Sequence, residues 1–423
     1  MRNRSVDIIG TSPRQLTVAL IGLGGYAENY LRGLLDESTG SVQLIAGVDP
    51  EPHRCRRMNN LVTLGIPIYT DIERAFERHL PDLAVIATPA YLHKPHSCLA
   101  LAQGVHVLCE KPAATTLPDA LAMRDAQAQA NRLLAIGYQW SFSSAIQALK
   151  SDIIRGLFGA PRRFRSLVVW PRTESYYRRN SWAGQICGPD GEPIYDNPVS
   201  NGCSHHIHNL LYLLGTAKSS SIWPESIECE IYRANDIASF DTAVMRLRAP
   251  GDTEVFVIAS HAATTSREPT FQLEFEDATV AYDQEGQGRL VARVKNGMIR
   301  DYGSLPSGSD IQKLWIAIDA IRSGGEIPCG IVAAVPHVAI VSALHQCEIT
   351  PIPPLSIQSG SQRKVGADFL HGLGEDLARC YEQWSLPSEL RLSWSGPKRY
   401  IAIAPDKLVA TTIPPTLRKE HFV

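Results

Sequence analysis

Between residues 16 and 138, short and almost wholly apolar runs alternate with amphipathic stretches, the rhythm of parallel strands joined by helical crossovers. LTVALIG (16–22), VQLIAGVD (42–49), DLAVIAT (82–88), HVLCEK (106–111) and RLLAIGY (132–138) predict strands, the first few apolar enough to be covered on both faces. The intervening stretches 27–38, 51–61, 71–80, 93–104 and 117–131 predict helices. Together they predict a doubly wound parallel sheet.

Beyond residue 139 the pattern changes. A helical stretch at 145–156 and the run RRFRSLVVW (162–170) lead into a Pro- and Gly-rich excursion that lasts to residue 198. An apolar helix over 204–215 follows, then alternating runs at 226–234, 242–249, 254–262, 270–277 and 289–296. These predict an open, mainly antiparallel sheet, closed off by helices over 310–324 and 331–346. The expected organisation is an N-terminal arm (1–15), a doubly wound α/β domain (16–138), an α+β domain (139–350) and an extension (351–423) packed on both.

The length of 423 residues supports this two-domain reading, since single cores rarely grow so large. Lys plus Arg (41) nearly balance Asp plus Glu (43), for a net charge of −2, so no global field favours nucleic acid. The nine cysteines are scattered without a C-x-x-C pair, which fits a reducing compartment. With neither a signal-peptide core nor a membrane-length apolar run, the expected location is the cytoplasm, away from membranes.

The first strand runs into GLGGYA (22–27), placing Gly22, Gly24 and Ala27 at the small positions of a G-x-G-x-x-G/A dinucleotide turn that also includes Gly25 and Tyr26. Asp49, at the end of the second strand, is placed to accept hydrogen bonds from the adenosine ribose and favours NAD. NADP stays open because Arg54, Arg56 and Arg57 follow closely, although a solvated helix face explains them as well. CEKPA (109–113) puts Glu110 and Lys111 at a strand end where ligands bind. A lysine there can steady the negative charge that develops on an oxygen during hydride transfer, while the plain alternative is a surface ion pair. NGCSHHIHN (201–209) supplies Asn201, His205 and either His208 or Asn209 on one helical face, with His205 as candidate acid/base. No metal is expected, because adjacent histidines diverge and no H-E-x-x-H pattern is present.

Taken with ATPAYLH (87–93), VHVLCEKP (105–112) and GYQWSF (137–142), these motifs resemble the glucose–fructose oxidoreductase and inositol dehydrogenase family, Gfo/Idh/MocA, over most of the chain. The resemblance implies a Rossmann domain, then an α/β domain whose open sheet often makes dimer or tetramer contacts. It further implies Lys111 as catalytic lysine, His205 as acid/base, and Glu110 and Pro112 as supports beside the nicotinamide. Thr88, Pro89, His93 and Gln139 would line the cofactor groove. Where the family usually has D-x-x-x-H, this chain has Asn201, and His208 stands where a second Asp is common. Trp182, His208 and Asn209 join Lys111 and His205 as candidate substrate contacts. The expected reaction is hydride transfer to or from a secondary alcohol of a sugar or polyol. The alternatives are elimination through transient oxidation and a non-catalytic NAD-binding regulator.

Overall fold

The computed structural model describes residues 14–38, 40–283, 286–306, 310–352 and 372–403. Its first sheet comprises β1 (Leu16–Ile21), β2 (Val42–Val48), β3 (Ile68–Tyr69), β4 (Leu83–Ile86), β5 (His106–Cys109) and β6 (Leu134–Ile136) in the order β3-β2-β1-β4-β5-β6. Every pairing is parallel. Crossovers run through α1 (Ala27–Arg32), α2 (Met58–Thr63), α3 (Ile72–Arg78), α4 (His93–Ala102) and α5 (Leu117–Ala130). β4 is buried along its whole length, as a strand with helices on both faces must be. The strand order reverses between β1 and β4, so the carboxyl ends of these strands open onto the crevice where such sheets bind ligands. Local chemistry sets the helix limits. In α5 the Thr116 side chain accepts from the Asp119 N–H at the start, and Asn131 adopts a left-handed conformation (φ 49°) at the end.

After α6 (Ser144–Ile154), a ten-stranded sheet collects β7 (Pro161–Val169), β8 (Ser226–Arg233), β9 (Thr242–Ala249), β10 (Thr253–Ser260), β11 (Arg267–Phe275), β12 (Ala278–Asp283), β13 (Arg289–Val294), β14 (Ile299–Ser304), β15 (Thr350–Pro351) and β16 (Arg399–Ala402). The order is β14-β13-β12-β11-β7-β10-β9-β8-β15, with β16 also on β8. Only β7–β10 and β8–β15 pair in parallel. The remaining helices are α7 (Glu174–Tyr177), α8 (Ser204–Leu213), α9 (Gln312–Ser323), α10 (Ile331–Leu344) and α11 (Leu373–Gln383).

Helix α10 joins the two halves. It packs on α5, β6 and α8, and its lead-in bridges Gly330 to Ala135 of β6. The other face of the second sheet is not left open. Leu373, Leu377, Cys380, Leu386 and Trp394 from the extension cover Leu167, Val244, Phe256 and Ile258. The sheet face that the resemblance assigns to subunit contacts is therefore occupied, over these strands, by the chain's own extension.

Several local expectations change. The helix expected over 51–61 is a short 3-10 turn (Pro52–Arg54) followed by α2, because Cys55 turns extended and buries its thiol between them. Strands β3, β12, β14, β15 and β16 and helices α7 and α11 add to those expected. The arm up to residue 13 and much of the extension (353–371 and 404–423) lie outside the described residues.

Candidate functional site

The turn after β1 is built around a backbone that only glycine tolerates. Gly22 has φ +87°, and a Cβ there would stand 2.8 Å from the Ala87 carbonyl oxygen. Gly24 differs, since a Cβ on it would meet nothing within 4 Å. The protein itself does not demand glycine at 24, but a ligand pressed against the backbone would. The N–H groups of Gly24, Gly25 and Tyr26 donate to nothing among the described residues, which leaves a cluster of free donors at the start of α1 suited to phosphate oxygens. Tyr26 closes the turn from the far side, its hydroxyl donating to the Asp310 carbonyl (2.9 Å) and lying 3.5 Å from Gln139 Oε1.

Asp49 accepts from the Leu23 N–H and the Glu51 N–H, both at 2.8 Å, one on each carboxylate oxygen. Each oxygen keeps a lone pair for a ribose hydroxyl. Of the nearby arginines, Arg54 is paired with Glu51 (2.6 Å) and Arg57 with Asp36 (2.7 Å), while Arg56 donates its backbone N–H to Glu28 Oε1 (2.8 Å). These residues fit a bound NAD. Asp49→Ala is expected to narrow the preference for NAD over NADP by about 10–100-fold, the worth of a charge-assisted hydrogen bond. Calorimetric titration checks this, and tighter NADP binding by the unaltered protein would reverse the assignment.

Thr88 and Pro89 follow β4 and are half-buried. His93 is 1% exposed. Its ring spans from the Pro112 carbonyl (2.7 Å) to the Thr88 carbonyl (2.9 Å), and burial lowers its pKa against the pull of both carbonyls. It braces the loops after β4 and β5 rather than presenting a free side chain to the groove.

At the end of β5, Glu110 is buried. Its Oε1 accepts from Tyr30 Oη (2.6 Å) and Lys313 Nζ (2.5 Å), and its Oε2 from the Lys111 N–H (3.2 Å). Burial pushes the carboxyl upward, but the Lys313 charge and the two side-chain hydrogen bonds outweigh it and hold Glu110 below the ordinary range. Gly137 makes the room, since a Cβ there would stand 3.0 Å from both carboxylate oxygens. Lys111 turns the other way. Its Nζ donates to Asn201 O (3.0 Å) and Asn201 Oδ1 (3.1 Å), and burial, only partly offset by Glu110, lowers its pKa to about 8.

Asn201 does not pair with His205. The helix starts at Ser204, so Asn201 sits in the preceding turn and the expected one-turn spacing does not apply. Its amide bridges instead, Oδ1 taking Lys111 and Nδ2 donating to Asp196 Oδ1 (2.8 Å). Asp196 also accepts from the Gly184 N–H (2.7 Å), and burial raises its carboxyl pKa. His205 is half-buried, edge-on to Tyr138 at 5.9 Å, and its Nδ1 has no partner. Burial first, then the Lys111 charge, hold it well below the ordinary imidazole value.

The structure thus brings Lys111 onto Asn201, with Glu110 behind them, and sets His205 near enough to feel the Lys111 charge. It places His208 elsewhere, 1% exposed, stacked on Tyr138 at 3.9 Å and 3.1 Å from Ser141 Oγ. Asn209 is equally buried, with both amide atoms unpartnered. Trp182 is half-buried in the excursion, 5.0 Å from the Arg179 guanidinium. Buried polar atoms without partners are rare in folded proteins. Here His205, Arg172, His261 and Tyr177 each carry one, so the region around the Asn201 turn is built for a polar ligand or water.

Sequence reasoning missed Lys313 and Asp196. A lysine within the apolar phase of α9 was the signal for the first, since Lys313 lines up with buried Ala317 and Ala320. Nothing in the excursion marked Asp196.

Comparisons with known proteins converge on one family. Residues 16–138 match the model of the oxidoreductase family with an NAD-binding Rossmann fold, GFO_IDH_MocA. D-apiose dehydrogenase of Paraburkholderia graminis is 31% identical over 334 residues, covering 75% of this chain and 83% of that protein. Inositol 2-dehydrogenase 4 of Saccharopolyspora erythraea is 30% identical over 151 residues, 36% of this chain and 44% of that one, so this match spans less than half of that relative's length. Among solved structures, an oxidoreductase from Agrobacterium radiobacter in complex with NAD+, L-tartaric acid and magnesium superimposes with TM-score 0.63 at 23% identity, over 78% of this chain and 95% of that one. The last likeness is one of fold.

Proposed function

The chain belongs to the Gfo/Idh/MocA family of oxidoreductases, and from that premise we propose that it is an NAD-dependent dehydrogenase acting on a secondary alcohol of a sugar, polyol or related small molecule. The observation that carries this reading is the meeting of Lys111, from the end of β5, with the Asn201 turn that leads into α8 and its early histidine, His205. The free N–H groups after β1 and the Asp49 carboxylate, held at the Leu23 N–H, would hold the dinucleotide. When bound, it supplies the acceptor or donor of hydride.

The protein's own residues handle the oxygen and the proton. With its pKa depressed, His205 is neutral at pH 7 and its imidazole can take the proton of the substrate hydroxyl. Lys111, still mostly an ammonium at pH 7, donates from Nζ to the same oxygen as negative charge develops there. For carbonyl reduction the sequence reverses, with His205 returning the proton. Asn201 keeps Nζ aimed by holding it with two acceptors, and Asp196 keeps the Asn201 amide from rotating. Glu110 and Lys313 neutralise one another beneath. No helix among the described residues is long and apolar enough to cross a membrane, and the cysteines are scattered along the chain without a C-x-x-C pair. We place the enzyme in the reducing cytoplasm.

The test is a panel of aldoses, polyols and inositols with NAD, read by nicotinamide absorbance. Net NADH formation on a secondary alcohol is expected. Substrate cleavage without net NADH would assign elimination chemistry instead, and the absence of any reaction across the panel would count against the dehydrogenase reading.

A further inference from the structure

We infer that the substrate carries a carboxylate, gripped by Arg172 and His261, so that the enzyme acts on an acid sugar or polyol acid in preference to its neutral counterpart. This rests on the dehydrogenase reading above and narrows its substrate class.

The placement comes from the second sheet. Beyond β7 and β10, which run in parallel, the chain stays paired, the Trp170 N–H donating to the Ser260 carbonyl (2.8 Å) and the Arg172 N–H to the His261 carbonyl (2.9 Å). Arg172 and His261 therefore leave the sheet side by side at the same end. A Cβ on Gly202 would stand 2.6 Å from His261 Nε2 and 3.6 Å from the Arg172 guanidinium. Gly202 directly follows Asn201, whose two oxygens hold Lys111 Nζ. Both side chains thus reach the turn that clamps the catalytic lysine, and a side chain at 202 would block that approach.

Neither group is satisfied by the protein. His261 is 2% exposed and its Nε2 has no partner, while Arg172 Nε is buried and unpaired. No carboxylate among the described residues lies within ion-pair distance of Arg172, in contrast to buried Lys313, which has Glu110. Leaving buried donors empty is costly, so a ligand oxygen is the expected partner. The charge balance gives its sign. Glu110 is neutralised by Lys313, and Asp196, hydrogen-bonded by Asn201 and Gly184, offsets Lys111 and Arg179. Arg172 remains as the cation with no carboxylate of the described residues at ion-pair distance, with Arg179 at the edge. The guanidinium carbons of Arg172 and Arg179 lie 4.7 and 3.5 Å from the Tyr176 ring centre, which fixes their planes. An oriented guanidinium fork beside a neutral imidazole whose unpartnered Nε2 can carry its one N–H suits a planar carboxylate, whereas a neutral hydroxymethyl group would leave the charge unpaired.

The experiment uses the full chain with NAD and matched pairs, each a uronate and an aldose of the same ring configuration or an aldonate and its polyol, plus the corresponding sugar phosphate. The acid is expected to show kcat/KM higher than its neutral partner by about 10–100-fold, the usual weight of hydrogen bonds to a charged group. Arg172→Gln is expected to erase most of that ratio through KM, with Arg172→Lys intermediate because it keeps the charge but loses the fork. A wild-type preference for the neutral partner, or an R172Q variant that lowers both substrates equally, would overturn the inference. Preference for the phosphate over the carboxylate would also overturn it. If nothing in the panel turns over, calorimetric binding of the acids to NAD-loaded wild type and R172Q decides. Binding that is lost in R172Q keeps the carboxylate site while removing the dehydrogenase reading, and binding unchanged by the substitution removes the site.

Discussion

Lys111→Ala should lower kcat by at least about 10²-fold while leaving NAD affinity nearly unchanged, the scale expected when one preorganised donor to a developing oxyanion is removed. The separation follows from the geometry. The proposed donors to the dinucleotide are the N–H groups after β1 and its proposed ribose acceptor is Asp49, none of which touches Lys111, whose Nζ bonds to Asn201 alone among the described residues. Lys111→Arg should not restore activity, since a planar guanidinium cannot sit between the two Asn201 oxygens as a compact ammonium does. The pH dependence gives an independent reading. Burial brings the Lys111 pKa to about 8, and the proposed active form is the ammonium, so the rate should fall as pH rises through that value. A lysine acting as base would produce a limb that rises there instead. The Asp196 charge favours the ammonium, so Asp196→Asn should move the falling limb to lower pH. Steady-state kinetics across pH and calorimetric titration of NAD make both checks, and an alanine variant that turns over at the wild-type rate would remove Lys111 from the chemistry.

The first domain was legible because its signals are local. Each strand is a continuous apolar run, the glycine turn lies between a strand and a helix, and Asp49 and the Glu110–Lys111 pair fall at strand ends. The exceptions have physical reasons. Strand β3 is two residues long, and the stretch after Asp49 carried helical composition but is broken by a proline turn and a buried cysteine.

The second domain was harder to read. β12 follows β11 after only a tight turn, and β14 is an edge strand without a single fully buried residue, so alternation alone did not separate them from loops. Helix α8 is buried at every position from His206 to Leu213. A helix buried nearly all round, polar residues included, shows no solvent face to read, so the sequence could not tell half-buried His205 from His208, which stacks inside the core on Tyr138. The spacing rule that paired Asn201 with His205 failed because it assumes helix where the chain still turns. Asp196, Arg172 and His261 carry no local mark, and only the parallel pairing of β7 with β10 and the fold of the excursion bring them to Asn201.

The ion pair that joins the domains illustrates the remaining limit, and it has the largest expected effect on stability. Glu110 and Lys313 lie 203 residues apart and meet at 2.5 Å, with side chains 9% and 0% exposed. The Lys313 ammonium also donates to the Gly137 carbonyl (3.1 Å) and lies 4.4 Å from the Tyr26 ring centre. Removing one member strands the other in a low-dielectric setting, which typically costs about 3–5 kcal/mol, more than the pair itself contributes against neutral residues of similar size. Lys313→Met should therefore destabilise the protein by that amount, leaving Glu110 with only the Tyr30 hydroxyl and the Lys111 N–H on its carboxylate. Glu110→Gln in the same chain should recover most of the loss, because the amide oxygen still accepts from Tyr30 and no buried charge remains. The measurement is urea unfolding of the wild type, both single variants and the double variant. A double variant as unstable as the sum of the two singles would show that these residues do not act as a pair. Recovery in the double variant would locate the cost in the unpaired charge, and would identify the contact through which α9 locks onto the end of β5 directly behind Lys111.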